Sequence, residues 1–129
     1  MNTYLVAAAV LALVVGLVHS VLGERLVFSR MRQGQLVPTN GGTVLRQPHV
    51  RILWASWHAL TLLGWAFAAA LYLLGSEPTR TELHVALLHV LAAAMLGSAA
   101  LVFYGTKARH PGWLGLLGVA LLTWLGTAQ

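Results

Sequence analysis

The sequence predicts an all-α protein, an antiparallel bundle of four transmembrane helices forming a single domain over residues 1–129. Hydrophobic residues make up 58% of the chain and charged residues only 9%, whereas a soluble domain usually has about a quarter of its residues charged. The apolar residues are also gathered into runs, and a membrane-spanning helix needs about 20 of them. The predicted spans are residues 4–23, 51–74, 83–104 and 111–128.

The first three runs are long enough to cross a bilayer, and the fourth is marginal in length. Pro111 suits the start of the fourth helix. We expect the first run to be a retained helix and not a signal peptide, because its basic residues follow the apolar stretch instead of preceding it. The connection 24–37 mixes arginine with large apolar residues, which predicts an extension of the first helix or a segment along the membrane surface. Residues 38–43 predict a turn.

The formal charge of +5 comes from eight basic and three acidic residues. Seven of the basic residues lie in residues 24–51 and 105–110, and Arg80 alone lies in the remaining connection. In a transmembrane chain this bias orients the protein and faces anionic lipid, so we expect membrane lipids as partners and no nucleic acid. It predicts cytoplasmic basic loops and both termini outside. The Ala/Leu/Arg-rich composition suggests the inner membrane of a bacterium.

Small residues recur at helical spacing in the spans, where they allow helices to pack closely. The first span carries a ridge of Ala8, Ala12, Gly16 and Ser20. His19 and Gly23 lie on the same side, so His19 is expected to face a neighbouring helix. The third span carries a second small-residue face, which consists of Ala86, Ala93, Gly97 and Ala100.

Six histidines in a chain this poor in polar groups indicate a functional site, because ionisable groups at membrane depth are costly unless paired. His19 and His58 lie towards the cytoplasmic ends of the first two spans, Glu24 closes the first, and His110 opens the fourth. In an antiparallel bundle these four side chains converge on one leaflet. They are the predicted metal ligands, and His19 with His58 could instead clamp a haem iron. The residues leave the choice between a metal ion and haem open.

Each candidate also has a structural explanation. His19 could hydrogen-bond a carbonyl or hydroxyl on a neighbouring helix, and His58 could belong to an aromatic belt with its flanking tryptophans. Glu24 could pair with Arg51 or another loop arginine. The remaining histidines near the helix ends are expected to be solvated, namely His49, His84 and His110.

Three strings, HSVLGER at 19–25, WHALT at 57–61 and KARH at 107–110, resemble a group of small bacterial four-helix integral membrane proteins. The resemblance extends over essentially the whole chain and includes all four candidate ligands. It implies a fold and a membrane location, and no activity comes with it.

Two functions fit these observations. In the first, the chain is a small accessory or scaffold subunit of a larger inner-membrane complex, or a homo-oligomer, and its small-residue faces are interfaces. In the second, it carries a His/Glu metal or haem site near the cytoplasmic leaflet and serves redox chemistry with a lipid-soluble substrate such as a quinone. Whether the chain is an enzyme stays open.

Overall fold

The computed structural model describes residues 1–77 and 81–128, and Arg80 lies outside the described residues. Within these ranges the chain forms four α-helices, one short 3-10 helix at Phe28–Met31 and no β-strand. The predicted all-α class and antiparallel four-helix bundle are therefore confirmed. The helices are α1 Thr3–Leu26, α2 Gln47–Ser76, α3 Glu82–Gly105 and α4 Gly112–Gly126.

Three of these helices are long and apolar enough to cross a bilayer: α1 continued by the 3-10 helix, α2 and α3. At most 22% of the most apolar stretch of each is buried, so the protein's own packing leaves most of their aliphatic surface uncovered. The fourth is shorter than its predicted run 111–128, because Pro111 acts as its N-cap and Thr127 already lies in the closing turn. Its 15 residues extend about 22 Å, less than the roughly 30 Å of the hydrocarbon core.

Local sequence signals explain where the helices begin. The Asn2 side chain accepts a hydrogen bond from the backbone N–H of Leu5 at 3.2 Å, and Thr81 caps α3 in the same way. Both are preferred N-cap residues. The second helix begins four residues before its predicted span, because Pro48 in the first turn needs no hydrogen-bond donor there.

Contacts divide the chain into two compact units. One contains Met1–Val15 and Gly64–Gln129, and the other contains Gly16–Leu63. We call them the terminal unit and the loop unit. Because α1 and α2 contribute residues to both, the single domain assigned from the sequence stays a prediction.

In the terminal unit, the start of α1 meets the ends of two other helices. The backbone N–H of Asn2 donates to the carbonyl of Gly75 at 2.7 Å, and its side-chain amide donates to the carbonyl of Gly126 at 2.8 Å. The first helix therefore runs antiparallel to α2 and α4, and the start of α1 lies beside the ends of both.

Small residues set the distance between α1 and α4. Ala8 and Ala12 are buried, as the predicted ridge on α1 requires. A Cβ placed on Gly115 would come within 2.7 Å of the Val15 side chain. Glycine therefore permits an approach that any larger residue would prevent.

The small-residue face of α3 behaves differently. Its buried residues include Leu88 and Ala99, which lie on the opposite side of the helix. All four small residues of the predicted face are exposed, namely Ala86, Ala93, Gly97 and Ala100. This face therefore takes no part in the packing of the terminal unit.

The loop unit consists of the end of α1, the start of α2 and the segment between them. Phe28 is buried in the 3-10 helix. The carbonyl of Met31 then accepts the N–H groups of Thr39 and Asn40, each at 3.0 Å. Gly42 adopts a left-handed φ of 65°, as the predicted turn at 38–43 requires. The predicted helix extension is confirmed as far as Leu26, and the 3-10 helix replaces it from Phe28.

Candidate functional site

Glu24, on the last turns of α1, contacts side chains from two other parts of the loop unit. Its Oε1 accepts the Nε of Arg32 at 2.9 Å and also the Nη2 of the same guanidinium. Its Oε2 accepts the indole N–H of Trp54 at 3.2 Å and lies 3.4 Å from the Nε2 of His58. The carboxylate therefore joins α1, the segment after the 3-10 helix and α2.

His58 extends this network to a second residue of α1. Its Nδ1 lies 2.5 Å from the Oγ of Ser20. The neutral tautomer with its proton on Nε2 fits both contacts, because an ionised carboxylate only accepts hydrogen bonds and the Nδ1 can then accept the Ser20 hydroxyl. We call Ser20, Glu24, Arg32, Trp54 and His58 the carboxylate cluster.

An aromatic group lies beside this cluster. The Trp57 ring stacks on His19 with centroids 4.3 Å apart and planes 8° apart, and its indole N–H donates to the His19 carbonyl at 3.1 Å. A Cβ on Gly23 would overlap the indole, so only glycine leaves room for it. The Phe28 ring meets Trp57 edge-on at 5.7 Å. The expectation that His19 faces a neighbouring helix is therefore confirmed.

The carboxylate cluster is only partly shielded. The side chains of Glu24, Arg32 and His58 are 31%, 23% and 28% exposed. Together with its place at the ends of two spans, this partial exposure sets the cluster at the edge of the protein. It is not a sealed interior pocket.

The structure brings two of the four predicted metal ligands together, Glu24 and His58. His19 belongs to the same unit and stacks on Trp57. His110 belongs to the terminal unit, where its Nδ1 accepts the backbone N–H of Gly112 at 3.1 Å. Across residues 1–77 and 81–128, no group of three or more histidine or carboxylate side chains is arranged to hold a metal ion.

Two of the structural explanations can be compared with the structure. Glu24 pairs with a loop arginine, as expected, and the partner is Arg32. His84, which was expected to be solvated, is only 7% exposed. The reason is its register on α3, one turn before the buried Leu88, so that both side chains lie on the packed face of that helix.

Sequence reasoning did not identify Arg32 and Ser20 as members of the site. Ser20 precedes Glu24 by four residues, and Trp54 precedes His58 by four, so helical spacing alone places each pair on one face. Arg32 gives no such signal, because its approach to Glu24 depends on the break in the helix at Val27.

The chemistry open to the cluster is limited by its geometry. The line Ser20–His58–Glu24 resembles a serine hydrolase triad in residue type. However, Ser20 lies inside α1, where the neighbouring N–H groups bond within the helix and cannot stabilise an oxyanion. Both ring nitrogens of His58 are engaged, so a metal ion bound there would have to displace Ser20 or Glu24. The arrangement is best suited to hold two helix ends and their connection together.

We expect Glu24 and Arg32 to be energetically coupled. In a double-mutant cycle with Glu24→Gln and Arg32→Gln, the coupling free energy should be about 1 kcal/mol, since the pair is half-buried and joined by two hydrogen bonds. Unfolding of the purified protein in detergent gives the required free energies. Arg30→Gln, a change at an exposed arginine of the 3-10 helix, should show no coupling to Glu24. A coupling of zero for Arg32 would contradict the role assigned to this pair.

Comparisons of this chain with protein-family models, with curated proteins and with solved structures find no match. The resemblance to small bacterial four-helix membrane proteins therefore stays a prediction. What the chain does must be argued from its own geometry.

Proposed function

We propose that this chain is a small accessory or scaffold subunit of a larger inner-membrane complex, joined to its neighbours through the small-residue face of α3. The exposure of that face carries the proposal. Gly97 has no other side chain within 4 Å of the position that a Cβ would take. In lipid, such small-residue faces allow helices to approach closely and gain contact.

Polar groups on the same face support this proposal. His89 is exposed on α3, seven residues after Glu82 and therefore about 10 Å along the helix. An imidazole facing lipid at this depth is costly, and a neighbouring helix would supply a partner. Glu82, Ala86 and His89 also line a shallow, open depression of about 490 Å³ on the surface of α3. A partner helix on this face would cover the polar groups and the small residues together.

In this proposal the carboxylate cluster has a structural role. It ties the connection between α1 and α2 to both helices.

Replacing Gly97 with leucine should release the protein from its complex. The added side chain would keep a partner helix at a distance and remove the close contact. After mild solubilisation of native membranes, the wild-type protein should migrate on a native gel in an assembly larger than its 13.8 kDa. Gly97→Leu should shift most of it to the size of the monomer.

Ala94→Leu is the matched control, because Ala94 is an exposed small residue on the same helix but away from the face formed by Ala93 and Gly97. It should leave the assembly unchanged. A wild-type protein that is already monomeric, or an assembly that survives Gly97→Leu, would rule out this interface.

We also propose that the basic connections face the cytoplasm and that both termini face the periplasm, since the excess of Lys and Arg sets orientation. The chain has no cysteine, so the labelling of single introduced cysteines can show on which side of the membrane each position lies. In intact spheroplasts, an impermeant maleimide should label Ala128→Cys and should reach Gln35→Cys only after permeabilisation. The reverse pattern would overturn this orientation.

A metal or haem site is the second candidate, and the approach of His58 to Glu24 at 3.4 Å favours it. These residues could provide an imidazole and a carboxylate, which many transition metals accept. This function would predict a near-stoichiometric metal in the purified protein by elemental analysis, lost in both His58→Ala and His19→Ala. Metal-free protein from metal-supplemented cells would exclude it.

A further inference from the structure

The loop unit contains more positive charge than its own acidic residues can neutralise. Glu24 is the only acidic residue among residues 16–63, and it already forms a salt bridge with Arg32. Four arginines remain, and all are exposed: Arg25, Arg30, Arg46 and Arg51. Two of them lie at the end of α1 and in the 3-10 helix, and the other two lie directly before and in the first turns of α2.

The same segment exposes large aliphatic side chains that its fold does not use. Leu36 is 79% exposed and Val44 is 83% exposed. Leu26 and Val27, directly beside Arg25, are exposed as well, whereas the neighbouring Phe28 turns inward. Exposed aliphatic residues interspersed with arginines are typical of segments that lie in the membrane interface.

We propose that the connection between α1 and α2, with the adjoining helix ends, binds anionic phospholipid, with the four arginines on the phosphates and with Leu36 and Val44 inserted among the upper acyl chains. Charge and exposed aliphatic surface on one short connection fit an anionic monolayer better than they fit water. The proposal is independent of the α3 interface, because the residues belong to the other unit.

The local fold supports this assignment. Val44 lies between Gly41 and Leu45, which pair across the turn. Leu45 is partly buried, and Val50, against which Gly41 packs, is fully buried. The turn is therefore anchored from inside while Val44 points outward. An exposed valine on a fixed turn can insert into lipid without much loss of conformational entropy.

The experiment uses a fluorophore attached to the full-length chain at Val44→Cys in nanodiscs. The discs contain either phosphatidylcholine alone or an equal mixture with phosphatidylglycerol, and neutral acrylamide is the quencher. Quenching should be about threefold weaker in the anionic discs, because the arginines draw the turn into the interface. The same label at Ala128→Cys, an exposed position in the terminal unit, should show no dependence on lipid.

Replacing the four arginines with glutamine should abolish the difference between the two lipids, and replacing them with lysine should keep it. Equal quenching in both lipids, or a difference that survives the glutamine variant, would overturn the proposal. The lysine variant is the control for misfolding. It changes the same four positions and keeps their charge, so a folded protein should still respond to the lipid.

Discussion

A carboxylate near the end of a long apolar helix needs hydrogen-bond donors around it, and Glu24 meets this requirement with residues that are distant in the sequence. Arg32 follows it by eight positions, while Trp54 and His58 come from the next helix. The Glu24 side chain is only 31% exposed, so an arrangement without these donors would leave its carboxylate poorly solvated. The loop unit is therefore held in the arrangement that brings these donors to one side chain.

This requirement explains the local chain path. A straight continuation of α1 would carry Arg32 about 12 Å along the helix axis from Glu24. The helix instead ends at Leu26, and the 3-10 helix turns the chain so that the guanidinium reaches Oε1. Phe28 is buried at the turn against Trp57. The polar contact and the apolar contact therefore stabilise the same bend.

The two units use different means to join helices. The terminal unit relies on alanine and glycine, which let α4 approach α1 closely, and its buried residues are almost all apolar. The loop unit relies on indole, imidazole and carboxylate groups. Polar contacts suit the ends of the spans, where a side chain that loses its partner can still reach water. Towards the middle of the membrane, van der Waals packing is the safer source of association.

Much of the fold could be predicted because long apolar runs determine where the helices lie. Apolar runs gave the helices to within about four residues, and the ridge of Ala8 and Ala12 is buried as spacing implied. The small-residue face around Gly97 was identified correctly as a face, but its exposure could not be foreseen, because spacing does not say which of two faces packs within the chain. The carboxylate cluster was only half predictable. Periodicity finds pairs within a helix, such as Ser20 with Glu24, and says nothing about a residue beyond a helix break, such as Arg32.

The partner of Glu24 also determines the electrostatics of the surface around it. Had the carboxylate paired with Arg51, as the sequence equally allowed, the arginine left uncompensated would have been Arg32, which is partly buried. Pairing with Arg32 instead leaves only exposed arginines without an acidic neighbour in their unit. The positive charge is therefore concentrated where solvent or lipid can reach it. One internal ion pair thus closes the bend after α1 and also determines which cations the loop unit leaves exposed without an acidic partner.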